Sequence, residues 1–332
     1  MPFARLDSRA LLSLHGVDAA RFLQGIISNS VPTAGAKYGF YSGVFTGKGR
    51  VLHDVFVYPT NHSRQWRDSV KNPDEPGYLL ECDRTVVEDA YKYLRIFQLR
   101  SKFEIRRVDA QEYGVHALWD ESHPEADHIG CVDPRTPTLG SRVVLPANAT
   151  PEVKRASFEE YTMRRMLQGV AEGQKEIIGH AALPMEANMD YMSGIDFHKG
   201  CYVGQELTIR THHQGVVRKR IVPVQLYDLQ MEPPPALTPV TSSSNNTYYA
   251  EKSEISRVAG AGRPPGHFLA GIANIGLALV RLEVVKPRKP GNESPSPSSS
   301  STAFKALIQG QEKGLAAFQP DWWPSEEEAK HP

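Results

Sequence analysis

The chain has 332 residues, with Lys plus Arg and Asp plus Glu at 38 each, so its formal net charge is zero and nothing global argues for nucleic acid or an anionic membrane as partner. With 40% hydrophobic and 23% charged residues, it reads as a globular protein long enough for two or three domains rather than a fibrous or disordered one. Cys82, Cys131 and Cys201 are widely spaced and odd in number, which excludes a disulfide framework and a Cys-x-x-Cys zinc site and fits a reducing compartment.

Residues 17–28 read as an amphipathic helix, because Asp18 is a good N-cap and Phe22, Leu23, Ile26 and Ile27 recur on one face. Residues 38–46 and 50–58 are rich in aromatic and β-branched side chains around Gly47-Lys48-Gly49, a hairpin signal that puts His53 and Asp54 on opposite faces of its second strand. Residues 59–77 are polar and aperiodic, the pattern of a surface loop. A strand over 78–82 then leads through Asp83 as cap into a helix with Val86, Val87, Ala90, Leu94 and Phe97 on one side. Short strands follow at 103–108, 113–119, 128–132 and 142–145. Ser157-Phe158-Glu159-Glu160 is a capping box for a helix that stops at Gly169. Residues 173–190 look irregular, 205–213 helical, and 216–226 alternates like a strand. Beyond it, short apolar stretches suggest a β-barrel or sandwich, interrupted by Pro233-Pro234-Pro235, a Ser/Asn run at 242–246 and a Pro/Ser run at 287–301. The run 268–280 is too broken by Gly and Asn to span a membrane and reads as a buried strand pair. Met1 leads almost at once into the first patterned segment, so no transit peptide is expected within this chain.

The densest functional stretch is Lys199-Gly200-Cys201-Tyr202-Val203-Gly204-Gln205-Glu206. Its two glycines suggest a tight turn that carries the thiol, and Lys199, His198 and a helix starting after Gly204 would favour a thiolate. Taken alone, Cys201 is open to four readings: a small buried hydrophobe, a nucleophile with His198 as base, a redox sensor, or a soft ligand for iron. A cluster takes four ligands, so a single thiolate could only share one with another protein's cysteines. Lys199, Gln205 and Glu206 are candidate thiol tuners or polar anchors. Cys82 and Cys131, in strands, are expected to be structural, and His180 and His212-His213 lack the rest of a metal ligand set.

The octet, preceded by Gly194-Ile195-Asp196-Phe197, resembles the signature of the YgfZ-like branch of the glycine-cleavage T-protein (aminomethyltransferase) superfamily. The segment from Leu14 to Gly25 and Gly49-Arg50-Val51-Leu52-His53-Asp54 are similar to two further pieces of that family. The resemblance implies an α+β, T-protein-like multi-domain fold with a ferredoxin-like unit and a C-terminal β-barrel-type domain around a central cavity. Residues 1–58 and 150–220 would form the folate-binding-type lobe carrying Cys201, 59–149 an inserted α+β unit, and 221–332 the C-terminal β-rich domain with a disordered loop near 287–302. It also implies an assembly factor for mitochondrial four-iron, four-sulfur clusters rather than an enzyme with catalytic residues. That factor would act in the matrix with A-type scaffold proteins through a cluster shared at Cys201. Lys199, Gly200, Tyr202, Gly204, Gln205 and Glu206 would complete the motif. Tetrahydrofolate is the cofactor implied, near His53 and Asp54, and the expected partners include neither nucleic acid nor membrane, the protein being a monomer alone. The rival reading is a folate-dependent aminomethyl transferase; against it, relatives carry an acidic pair where this chain has His53-Asp54.

Overall fold

The computed structural model describes residues 2–32, 35–119, 124, 127–149, 154–240, 247–259, 263–285 and 303–325. The Ser/Asn run at 242–246 and the Pro/Ser run at 287–301 lie outside them. The chain divides into one unit of residues 1–161, 172–185 and 189–216 and a second of 162–171, 186–188 and 217–332.

The first unit contains strands β1 (Phe3–Arg5), β2 (Arg9–His15), β3 (Phe40–Phe45), β4 (Val51–Pro59), β5 (Gly77–Asp83), β6 (Glu104–Val108), β7 (Tyr113–Leu118), β8 (Ile129–Val132) and β9 (Ser141–Pro146). The helices in chain order are α1 (Ala19–Ile26), the single turn α2 (Arg64–Arg67), α3 (Val87–Gln98), α4 (Phe158–Leu167) and α5 (Gln205–Gln214). Five strands form an antiparallel sheet in the order β3-β4-β5-β2-β6, and the other four a sheet in the order β1-β7-β9-β8. With β3 set aside as an added edge, β2-α1-β4-β5-α3-β6 is a ferredoxin-like βαββαβ unit.

This corrects the expected domain boundaries. The ferredoxin-like unit runs from Arg9 to Val108 rather than over 59–149, because β5 takes both its neighbours, β4 and β2, from the N-terminal segment. Long-range strand pairing leaves no mark in local periodicity. The 59–77 loop also holds a buried residue, Trp66, whose ring packs 5.1 Å from that of Tyr113.

Period-two alternation gives the five-stranded sheet two different faces. Leu12, Leu14, Val55, Val57, Leu80 and Cys82 turn toward Phe22, Leu23 and Ile26 of α1 and Ala90 and Leu94 of α3, forming the apolar core. Each such side chain removed from water contributes about 1.5–3 kcal/mol. Arg9, Asp54, Tyr58 and Glu81 come from the other face.

Cap chemistry follows the sequence in part. Ser157 and Glu160 exchange hydrogen bonds at the start of α4, Glu160 N donating to Ser157 Oγ at 3.1 Å and Ser157 N to Glu160 Oε2 at 2.7 Å. Asp83 accepts from Thr85 N and opens a short 3₁₀ turn before α3. Asp18, by contrast, makes no side-chain cap to α1, because its carboxylate accepts from Lys102 N instead.

The second unit is a closed antiparallel barrel of β10 (Lys219–Tyr227), β11 (Tyr248–Arg257), β12 (Gly266–Ile272), β13 (Ile275–Arg281), β14 (Phe304–Ile308) and β15 (Gln311–Ala317). Its interior holds Val222, Val224, Phe268, Ala278, Val280, Ile308 and Leu315. The 268–280 run becomes the hairpin β12-β13, as expected. Among the described residues no helix is long and apolar enough to cross a membrane.

Candidate functional site

Three segments far apart in sequence meet at the Cys201 loop: the end of α1, the tip of the β3-β4 hairpin, and the start of α5. Gly204 takes the N-cap position of α5 with φ +83°. A Cβ there would overlap the Thr46 carbonyl oxygen and lie 3.0 Å from Phe45 Cβ and 3.2 Å from Gly49 Cα. Gly49 is reciprocally constrained, with φ +74° and room for a Cβ only 2.6 Å from Leu207 Cβ. Both positions therefore require glycine. Val203 N donates to Gly25 O at 3.1 Å, and Tyr202 packs its buried ring 6.1 Å from Phe45.

Lys199 is engaged at the end of α1. Its Nζ donates to the carbonyls of Gln24, Ile27 and Asn29 at 2.9, 2.7 and 2.8 Å, and so caps the C-terminal end of α1 with all three ammonium donors. Burial pushes its pKa down to about 8, with Asp196 opposing. The same helix end is tied down by Ser28, whose Oγ donates to Gly194 O at 2.7 Å, by Asn29, whose Nδ2 donates to Ser193 O at 2.7 Å, and by Ser30, whose Oγ donates to Asp196 Oδ2 at 2.5 Å. Gln205 Oε1 accepts from Tyr202 N at 3.3 Å, while Glu206 is exposed in the first turn of α5.

On this anchored base, Gly200 and Cys201 are exposed. Gly200 has no positive φ, and a Cβ built on it would meet nothing within 4 Å, so the turn does not demand glycine there. Among the described residues no hydrogen bond joins His198 to Cys201; the His198 backbone N–H donates to Asp196 Oδ1 at 2.8 Å. No ligand cluster of three or more His, Cys, Asp or Glu occurs among the described residues. Cys82 and Cys131 are buried in β5 and β8, and burial pushes the Cys82 thiol up to about 12 and Cys131 well above its ordinary value. The arrangement is an anchored loop that exposes the sulfur of Cys201, with no hydrogen-bonded base beside it among the described residues.

Asp54 and His53 do not converge. Asp54 is fully buried in an ion network that sequence reasoning missed: Oδ2 accepts from Arg9 Nη1 at 3.0 Å and Oδ1 from Gly173 N at 3.2 Å. Arg9 Nε donates to Glu81 Oε1 at 2.6 Å, and Glu81 also accepts from Arg142 and, at 2.6 Å, from Tyr58 Oη. Glu172 accepts from Arg135 Nη1 at 2.8 Å and Arg142 Nη1 at 3.0 Å, and Asp133 pairs with Arg135 at 2.6 Å. Burial raises Asp54 to about 6 against the pull of Arg9. At Glu81 burial also acts upward, but Arg142 and Arg9 outweigh it and hold the carboxyl below its usual range. His53, on the other face of β4, is buried with an unpartnered Nδ1, and burial lowers it to about 4. Asp54 has no exposed surface and His53 lies on the other face of β4, so the residues implied for a folate do not fit it together as they stand.

The fold is that of the aminomethyltransferases. The solved structure of glycine cleavage system aminomethyltransferase T from Bartonella henselae matches with a TM-score of 0.64 at 10% identity, over 97% of this chain and 86% of that one. Residues 218–325 match the family model of the CAF17 C-terminal β-barrel domain. Among curated proteins, the mitochondrial iron–sulfur cluster assembly factor IBA57 homologue of Coccidioides immitis is 40% identical, covering 96% of this chain and 82% of the relative. Those of Aspergillus fumigatus (42%; 85% and 70%) and Pyricularia oryzae (40%; 96% and 84%) agree. The chain belongs to the family of mitochondrial iron–sulfur cluster assembly factors of the IBA57 type.

Proposed function

We propose that the protein assists maturation of four-iron, four-sulfur clusters in the mitochondrial matrix, contributing Cys201 as one thiolate to a cluster held jointly with an A-type scaffold protein. The observation that supports this most is the contrast among the three cysteines: Cys82 and Cys131 are sealed in strands, while Cys201 is exposed on a loop tied to α1 and the β3-β4 hairpin. One exposed sulfur cannot hold a cluster alone, so a partner must bring the remaining ligands. Tetrahydrofolate has no part in this reading at His53 and Asp54. The test is replacement: in mitochondria that lack their own family member, the chain restores the activity of a four-iron, four-sulfur enzyme. Failure to restore it, with the protein present and folded, overturns the assembly role.

A further inference from the structure

The C-terminal corner of α3 leaves large apolar side chains in water. Leu99 is 87% exposed, Ile96 69% and Val17 55%, with part of the Phe97 ring beside them. α3 buries Ala90, Leu94 and Gln98, so Lys92, Arg95 and Ile96 lie on its exposed side. The corner is locked to the start of α1, with Lys102 N donating to Asp18 Oδ2 at 2.7 Å and the Phe22 and Phe103 rings 4.7 Å apart. Between them runs a groove lined by Asp18, Arg21, Phe22, Leu99, Arg100 and Ser101.

Folding does not account for Leu99. It follows the last helical residue at φ +44°, ψ −111°, where glycine escapes the Cβ penalty, and its side chain packs against almost nothing. The cations are equally one-sided. Arg21, Lys92, Arg95, Arg100 and Lys102 are all exposed around the apolar tip. Of the acids nearby, Glu88 is paired with Arg107 at 2.5 Å, while Asp18, which accepts from the Lys102 N–H and keeps its charge at the groove, Asp89 at the far end of α3 and Glu104 oppose the five cations, leaving an excess of positive charge. The zero net charge of the whole chain conceals this local excess.

We propose that this corner docks on an anionic phospholipid bilayer, Ile96 and Leu99 entering the interface and Arg21 and Arg100 receiving lipid phosphates at the groove. A bilayer supplies anionic groups above an apolar layer without needing a shaped socket, which suits a projecting tip ringed by cations. The proposal goes beyond the cluster chemistry and reverses the expectation, drawn from net charge, that no membrane is involved.

The full-length protein is sedimented with vesicles of equal parts phosphatidylglycerol and phosphatidylcholine, and with pure phosphatidylcholine. It should bind the mixed vesicles, release with salt, and ignore the neutral ones. At about fivefold per basic residue, the double substitution R21E/R100E should weaken partition by about 25-fold or more. Leu99→Gly should hold or raise the melting temperature yet weaken partition about tenfold, which a purely structural leucine would not do. Absence of binding to mixed vesicles at low ionic strength, or binding that neither variant weakens, overturns the proposal. Loss of an acidic protein partner in the same variants, with vesicle binding absent, overturns it in favour of a protein socket.

Discussion

Gly49 and Gly204 close on each other without a side chain between them, each with a positive φ, and a Cβ on Gly204 would stand 3.2 Å from Gly49 Cα. That contact joins the hairpin tip to the first residue before α5, and it fixes the base of the loop carrying Cys201. Gly204→Ala should therefore cost about 3 kcal/mol from the combined φ penalty and overlap. Gly200→Ala, facing open space, should stay within about 0.5 kcal/mol. Chemical denaturation of both variants checks this, and equal costs would contradict the geometry.

Lys199→Met removes the donor from three carbonyls at the end of α1. The expected loss is about 2 kcal/mol. Arginine should not rescue it, because a planar fork cannot place its donors on three carbonyls that converge on one ammonium. The rate of Cys201 alkylation, measured well below the melting temperature, should be unchanged. A clearly slower rate would restore Lys199 as a thiol tuner.

Glu81 is the acceptor for Arg9, Arg142 and Tyr58 at once. Glu81→Gln would leave two buried guanidinium groups facing a neutral amide, at a cost of about 3–5 kcal/mol. A melting temperature within a few degrees of the parent would show that the network relaxes at little cost.

His53 gives the protein an acid-labile element. Its folded pKa, lowered to about 4 first by burial and further by His180 and Arg9 against Asp89 and Asp83, lies below its unfolded value of about 6.5. Between those values the unfolded chain binds the extra proton, so stability falls as pH drops from about 6.5 to about 4, by about 3 kcal/mol. Asp54, raised to about 6, has the opposite slope between its unfolded value and that point. The readout is consequently the difference between His53→Gln and the parent: the variant should lose this acid-side fall. Parallel stability curves would contradict the shift.

The sequence carried the local grammar well. The Ser157/Glu160 capping box, the Gly47-Lys48-Gly49 hairpin, the start of α5 at Gln205 and the β12-β13 pair all formed as their residues specify. What it did not carry was pairing at a distance. The partners of Lys199 lie 170 to 175 positions away, and Arg9 meets Asp54 across 45. Buried arginines have no periodic signature, so nothing in the sequence marks Arg9 or Arg135 and Arg142 reads only as the start of a strand, while Lys199 next to a cysteine reads as its electrostatic neighbour. Leu99 falls outside the apolar series Val86, Val87, Ala90, Leu94 and Phe97 that the helix period picks out, and its exposure is invisible until the helix face is set.

The most direct test of the central reading is cluster formation by cysteine variants. Cys201→Ser, Cys82→Ser and Cys131→Ser are each mixed anaerobically with the same A-type scaffold, iron and sulfide, and visible absorption and iron content of the complex are measured beside the melting temperature. A hydroxyl replaces a thiolate poorly as a soft ligand, so Cys201→Ser should keep the parental melting temperature and lose the coloured complex. Cys82→Ser and Cys131→Ser bury a hydroxyl in strands and should melt earlier while still forming it. A Cys201→Ser protein that forms the coloured complex at the parental iron stoichiometry would contradict ligation by this thiol.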